Sequence, residues 1–283
     1  MKFTVFTFSS DFVFHPVPRQ LPCGHEYCKS CVAQLREKGV AQTCPLCRKP
    51  LPPGPDKLFD LGFRMYSRVV AVVNLDQHAP WENVSLSPVQ QRQMDQSRAL
   101  LREAADQGHM MAQAIVGDLY DFGRGVATDD RLAFVYHEKA ARQGWAISQF
   151  NAGNFCRDGR GCEQSYERAA EWFEKAAAQG DARAQGALAN LYYDGRGVPR
   201  SYERAIELFK QSAEQGHAIS TRNLGLRYEL GQGVTQDYKE ARRLYALALK
   251  LGHTPATEDL QRIDEKIRAE VIRKLIPLVG KRE

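Results

Sequence analysis

The residues best suited to chemistry in this sequence stand close together near its start. Cys23, His25, Cys28 and Cys31 fall within nine residues, and Cys44 and Cys47 come after twelve more. Thiolate sulfur and imidazole nitrogen are the donors that a tetrahedral zinc ion takes. A Cys-x-His or Cys-x2-Cys hook presents two donors from one tight turn, and two hooks distant in sequence then clamp one ion. In about thirty residues with little core, such a clamp supplies much of the folding free energy. Five of the seven cysteines lie in this cluster. An odd, clustered count without a secretion signal reads as metal binding in a reducing compartment rather than as a disulfide framework. The expected cofactor is zinc and the expected compartment is the cytoplasm or nucleus. No phosphate loop, nucleophile elbow or paired-carboxylate motif accompanies the cluster, so no catalytic residue is expected elsewhere in the chain. His109, His137 and His217 read as loop-proximal or exposed residues of helices rather than as catalytic groups.

C-terminal to the cluster lies an array. Gly123-Arg124-Gly125-Val126 recurs as Gly159-Arg160-Gly161-Cys162, as Gly195-Arg196-Gly197-Val198 and as Gly231-Gln232-Gly233-Val234, at intervals of 36 residues without an insertion. Gly108, Gly144, Gly180, Gly216 and Gly252 keep the same phase. Each interval holds two helical patterns. The first runs over about 109–122, 145–158, 181–194 and 217–230, and the second over about 131–143, 167–179, 203–215 and 239–251. Ala169, Trp172, Phe173 and Ala176, then Ala205, Leu208, Phe209 and Ser212, trace an apolar stripe of period 3.6. Small residues let helices approach closely. Glycine after each second helix suits a left-handed C-cap. One helix pair cannot bury its own stripe, whereas stacked pairs can. The expected fold is therefore mainly α: an α-solenoid of helical hairpins carrying a small N-terminal zinc-binding module. Trp172, Phe173, Phe209 and Tyr245 are expected in its core, and Cys156 and Cys162 as ordinary semi-buried side chains.

The expected organisation is an atypical N-terminal segment over 1–20, a zinc module over 21–50 and a linker over 51–92. Helical repeats fill 93–252 and a capping helix 253–283. The repeats comprise a half unit and then full units at 109–144, 145–180, 181–216 and 217–252. Four prolines between Pro50 and Pro55 read as a stiff exit from the module. Leu58–Leu75 is apolar and reads as a helix or as a segment packed on the module. Ala79–Pro88 reads as a second break.

Ser201-Tyr202-Glu203-Arg204-Ala205 and Phe209-Lys210-Gln211-Ser212-Ala213-Glu214-Gln215-Gly216 resemble the Sel-one-like repeat, a relative of the tetratricopeptide repeat. That resemblance implies a right-handed superhelix used as a protein-interaction scaffold. Some members of that family carry a disulfide in every repeat; with cysteines in one repeat only, this chain does not fit that variant.

Leu21-Pro22-Cys23-Gly24-His25, with Cys44-Pro45-Leu46-Cys47-Arg48, resembles the RING finger of ubiquitin ligases. In that family four ligand pairs interleave around two zinc ions. The resemblance implies that Cys23, His25, Cys44 and Cys47 complete one site, and that Cys28 and Cys31 form half of the second. Residues 1–13 hold no Cys or His, Asp11 is the one conventional ligand type there, and His15 lies too close to Cys23. Either an upstream ligand pair belongs before this stretch, or the module is a one-zinc variant. Residues 1–14 look foreign to the motif, while Val17–Pro22 reads as its ordinary run-in.

The same resemblance implies that a ubiquitin-conjugating enzyme would be gripped by Pro45, Leu46, Arg48, Val32 and Leu35, with Arg36 on the same expected helix. A protein substrate or adaptor would sit on the repeats. Activity from this chain is expected to be weak or absent, which leaves a non-catalytic scaffold as the alternative reading.

Composition narrows the remaining classes. Hydrophobic residues make up 43% of the chain, which fits a folded protein. The net charge of +5 arises from 39 basic and 34 acidic residues and is dispersed. It reads as a solvated surface, so no nucleic-acid partner is expected. No stretch approaches the ~20 apolar residues of a membrane span, so no membrane partner is expected. Met1–Phe14 is interrupted by Thr4, Thr7, Ser9, Ser10 and Asp11 and lacks a small-residue cleavage site, which argues against a signal peptide.

Overall fold

The computed structural model describes residues 19–20, 26–27, 53–73 and 86–279, with side chains over 53–71 and 86–273. Two short strands come first, β1 (Arg19–Gln20) and β2 (Glu26–Tyr27). Then come α1 (Pro55–Val73), α2 (Pro88–Asp106), α3 (Met110–Asp121), α4 (Asp130–Arg142), α5 (Ala146–Asp158) and α6 (Tyr166–Ala178). Beyond them lie α7 (Ala182–Asp194), α8 (Tyr202–Glu214), α9 (Ala218–Leu230), α10 (Tyr238–Lys250) and α11 (Ala256–Val279). From α3 to α10 the helices form four hairpins, each stacked on the next, as the 36-residue period requires.

Three features recur at that period. Asp129, Ser165, Ser201 and Asp237 cap α4, α6, α8 and α10, each side chain accepting from a first-turn backbone N–H. This satisfies donors that the helix itself leaves unpaired. The glycine of each Gly-x-Gly turn that comes second is needed for close approach. A Cβ at Gly161 would overlap the carbonyl of Asp130, so the turn sits directly on the start of the preceding α4. The core then fills with one large side chain per hairpin: Phe173, Phe209 and Tyr245 are at most 1% exposed, and Ala133, Ala169, Ala205 and Ala241 give them room.

The third feature is a polar ladder that joins neighbours. Gln113 donates to the Ala105 carbonyl at 3.1 Å, and Gln143 donates to Gln113 Oε1 at 2.7 Å and to the Gly108 carbonyl at 3.0 Å. Gln149 and Gln179 repeat the arrangement with the carbonyls of Ala141 and Gly144. Gln185 and Gln215 continue it at 2.8 Å. Each rung satisfies carbonyls at the end of a second helix, which have no partner inside the helix. The ladder stops at Thr221 and Leu251, which occupy the same positions in the last hairpin.

The region expected as a linker over 51–92 needs correction. It contains α1, whose Leu58, Phe59 and Val69 are buried, and α1 packs along α2 as tightly as the helices within a repeat pack on each other. Gly62 lies where a Cβ would come 3.0 Å from Leu101 Cγ, just as Gly117, Gly153 and Gly225 lie against His137, Phe173 and Tyr245. Leu101, His137, Phe173, Phe209 and Tyr245 share one phase, so α1 and α2 form a fifth hairpin. Its connection spans 74–87, against 122–129 in the next hairpin, and lacks the Gly-x-Gly signal. Pro88, expected to break the chain, starts α2 instead. Proline suits the first helical position, and Ser87 and Gln90 form a capping box before it.

The far end is closed by α11 through buried charge. Glu229, 1% exposed, accepts from Arg262 at 2.9 and 3.0 Å, from Lys266 at 2.9 Å and from the Tyr245 hydroxyl at 2.5 Å. Arg222 donates to Asp259 at 2.5 and 3.2 Å. Burial alone would raise the Glu229 carboxyl, yet the bonds from Arg262, Tyr245 and Lys266 outweigh it and hold the group down at about 2.

Candidate functional site

The strands β1 and β2 pair antiparallel, with Arg19 opposite Tyr27 and Gln20 opposite Glu26. They bracket 21–25, the interval that contains Cys23 and His25. A chain reversal across so few residues is what a Cys-x-His hook needs to offer two donors to one ion. Cys23, His25, Cys28, Cys31, Cys44 and Cys47 themselves lie outside the described residues, as do Val32, Leu35, Arg36, Pro45, Leu46 and Arg48. Three thiols and an imidazole in Cys23, His25, Cys44 and Cys47 are a complete zinc donor set. Among the described residues, no group of three or more His, Cys, Asp or Glu could hold a metal ion. The zinc expectation therefore rests on 23–47.

The described residues offer a second candidate, the outward face of the first helices. Met111, Ile147 and Ile219 share one repeat position near the helix start and are 39%, 44% and 51% exposed. An isolated apolar side chain at a surface is ordinary, but recurrence at one structural position makes a row. Arg183 interrupts it, held by Asp181 at 2.7 Å and lying 4.6 Å over the Phe150 ring. One and two turns along the same face stand Asn151 and Asn154, Asn190 and Asn223. The Asn223 amide donates to Asn190 Oδ1 at 3.4 Å, which ties α9 to α7. Phe122 and Leu230, 55% and 47% exposed, mark the other edge of the face.

Of the three histidines, His109 and His217 stand at helix starts as expected, and His137 does not. His109 caps α3, its Nδ1 accepting from the Ala112 N–H at 3.1 Å, and its ring stacks on Phe59 at 4.2 Å. His217 stands at the start of α9 with Nδ1 2.8 Å from Ser220 Oγ. His137, expected near the surface, is 1% exposed and takes the core position that Phe or Tyr fills in the other full repeats. Its Nδ1 lies 3.3 Å from Ser148 Oγ and its Nε2 lies 3.5 Å from Asp118 Oδ1. Burial lowers the imidazole to about 4 and raises the Asp118 carboxyl to about 6. The Ser, His and Asp side chains invite comparison with a hydrolase triad, but Ser148 is 0% exposed and no substrate can reach it. The group is a polar patch in the core. Counting from Phe173 back by one period would have found it. The apolar row was readable in the same way, from Met111 forward.

No helix among the described residues is long and apolar enough to cross a membrane. Residues 12–47 match the family described as zinc finger, C3HC4 type (RING finger). The match opens upstream of Cys23, over a stretch whose one Cys or His is His15. Over 49 residues the chain is 47% identical to the E3 ubiquitin-protein ligase TRIM56 of Bos taurus, a match covering 17% of this chain and 7% of that protein. Among solved structures, c5321, a protective antigen of uropathogenic Escherichia coli with an SLR fold, superposes with a TM-score of 0.61 at 25% identity. That superposition covers 83% of this chain and 43% of the antigen. A Sel1 repeat protein of Oxalobacter formigenes gives a TM-score of 0.60 at 22% identity, covering 82% and 86%. The hairpins and turns are thus those of a known solenoid. Residues 88–109, 111–145, 146–181, 182–217 and 218–253 match the Sel1 repeat, more than half of the chain, which therefore belongs to the Sel1 repeat family.

Proposed function

We propose that this chain is a ubiquitin-ligase-type adaptor, in which a RING-like module is joined to a solenoid that holds a substrate or adaptor protein. The observation that carries this reading is the union in one chain of a RING-type match over 12–47 with a repeat array presenting an apolar row outward. Cys23, His25, Cys44 and Cys47 would hold one zinc ion, and Cys28 and Cys31 would offer half of a second cage. Zinc supplies a tetrahedral cross-link in a segment too small to fold on apolar burial. Pro45, Leu46, Arg48, Val32 and Leu35 would meet a ubiquitin-conjugating enzyme, whose thioester is delivered by positioning rather than by chemistry on the RING. Met111, Ile147 and Ile219 would contact the protein held by the repeats. Residues 1–22 hold no Cys and His15 as their one His, so residues 1–283 as given are expected to show weak or no ligase activity.

Zinc stoichiometry of the full chain and an autoubiquitination assay with a panel of conjugating enzymes test the reading together. One tightly bound zinc per chain with little chain formation is expected. Two zinc ions with robust chain formation would overturn the incomplete-module reading, and no zinc at all would leave only the scaffold.

A further inference from the structure

Cys156 and Cys162 are the two cysteines among the described residues, and the fold brings them together. Cys156 lies near the end of α5 and is fully buried; Cys162 lies in the turn just after it and is half-buried. The Cys162 thiol points at Cys156 Sγ across 4.0 Å. In the other full repeats these two positions hold Tyr120 and Val126, Tyr192 and Val198, and Tyr228 and Val234. One repeat has thus exchanged both members of a tyrosine–valine pair for thiols.

The turn that bears Cys162 is a joint between repeats. Gly161 presses on the Asp130 carbonyl, and Arg160 binds Asp121 at 2.7 Å and also pairs with Asp130. We propose that Cys156 and Cys162 form a reversible dithiol–disulfide site, oxidised by small-molecule disulfides, that staples the end of α5 to the turn seating the second full repeat on the first. A disulfide needs sulfurs about 2.05 Å apart, which rotation of the half-buried Cys162 side chain within its turn can supply. The site differs from the recurring disulfides of other repeat proteins because a single pair, inside one hairpin, is involved.

The exchange balances. The Cys162 thiolate attacks one sulfur of the small disulfide RSSR, whose S–S bond breaks and releases RS⁻, which takes up a proton. Cys156 then gives up its proton and attacks the Cys162 sulfur of the mixed disulfide, releasing the second RS⁻. Two protein thiols are oxidised to one disulfide and one RSSR is reduced to two RSH. Burial first, then the neighbouring Cys162 sulfur, pushes the Cys156 thiol up to about 12. The half-buried Cys162 is the thiol that a small disulfide can reach, so the first attack falls to it and Cys156 closes the ring.

The test uses the full zinc-loaded chain treated with glutathione disulfide and then alkylated. Trypsin cuts after Arg157 and Arg160, so the two cysteines fall on peptides 143–157 and 161–168. Expected is a linked pair of these peptides that dithiothreitol separates. The oxidised chain should also melt a few degrees higher. The Cys156→Tyr/Cys162→Val variant, which restores the side chains of the sister repeats, should lose both effects while any response of the zinc-module cysteines persists. Recovery of both peptides alkylated, or each carrying its own glutathione without a link, overturns the proposal.

Discussion

The two ends of the solenoid are closed by opposite means. At the N-terminal end α1 lays Leu58, Phe59 and Val69 on α2, and the Phe59 ring stacks on His109. At the C-terminal end α11 buries Ala256 and Ile263, and beside them Asp259 and Glu229, each at 1% exposure. A repeat array exposes an apolar face at each end unless something different in kind closes it. An apolar cap extends the core by one more hairpin. A charged cap closes the core with ion pairs in place of a further apolar layer. The burial of Leu58, Phe59 and Val69 involves no charge, whereas the closure around Glu229 depends on one.

The largest effect should come from removing the charge at the centre of the second closure. Glu229→Ala takes the acceptor from Lys266 and the buried Tyr245 hydroxyl and leaves Arg262 with the carboxylate of Asp259 alone, and losing these charge-assisted hydrogen bonds costs about 3 kcal/mol. Hydrogen exchange should show α11 opening while α1 and α2 stay protected. Unchanged protection of α11 would mean that Ala256 and Ile263 alone close this end.

A smaller loss is expected when the first closure is crowded. Gly62→Val places methyl groups against Leu100 and Leu101, where a bare Cβ already meets Leu101 Cγ at 3.0 Å and Leu100 Cβ at 3.1 Å. Overpacking of this kind costs about 2 kcal/mol. Urea unfolding should register it with the same slope as the parent chain, and exchange should quicken in α1 but not in α11. If Gly62→Val is neutral, α1 is a loosely attached helix and not a member of the array.

Acid should separate the two ends as well. The Glu229 carboxyl is held at about 2, below its usual 4.5. Its contribution to stability is complete above 4.5 and is lost as pH falls toward 2. The difference in melting temperature between the parent chain and Glu229→Gln should therefore shrink over that window. Gly62→Val should keep its difference from the parent throughout. A Glu229→Gln difference that does not vary with pH would place the stabilisation in packing rather than in charge.

How the two ends could be read from sequence differs for physical reasons. The array announces itself because Gly144 and its equivalents take φ values of 78–96°, which side chains resist, and Gly161 sits where a Cβ has no room. Backbone demands of that kind leave an invariant letter at each period. The hairpin of α1 and α2 escaped because the sequence between them, 74–87, holds no Gly-x-Gly. A helix with a single close approach at Gly62 leaves no repeating mark. The rungs Gln113, Gln149 and Gln185, and Gln143, Gln179 and Gln215, were as regular as the glycines. They passed unread because glutamine is usual on a helix surface, and only the fold shows these amides turned onto carbonyls. The RING-type module was legible from the spacing of its Cys and His residues, and the family match over 12–47 bears that reading out.

The smallest effect lies next to the apolar end, where the first full repeat holds His137 in place of Phe or Tyr. Its Nε2 has no hydrogen-bond partner among the described residues, and Ser148 would lose its own contact if the ring were replaced alone. The informative variant is His137→Phe/Ser148→Ala, which installs the pair found as Phe173 with Ala184 in the next repeat. Removing a buried unpaired polar atom should gain about 1 kcal/mol at neutral pH. The imidazole falls from 6.5 to about 4 on folding, so below 6.5 the unfolded chain takes up a proton that the folded one refuses, and the parent loses stability as pH falls toward 4. Asp118, raised from 3.8 to about 6 by burial, works in the opposite sense, because the folded chain takes up its proton first. In the parent these two trends offset each other, and in the variant only the second remains. The advantage of the variant should therefore grow as pH is lowered from 6.5 to 4. A constant advantage across that window would mean that the folded chain takes up the His137 proton as readily as the unfolded one.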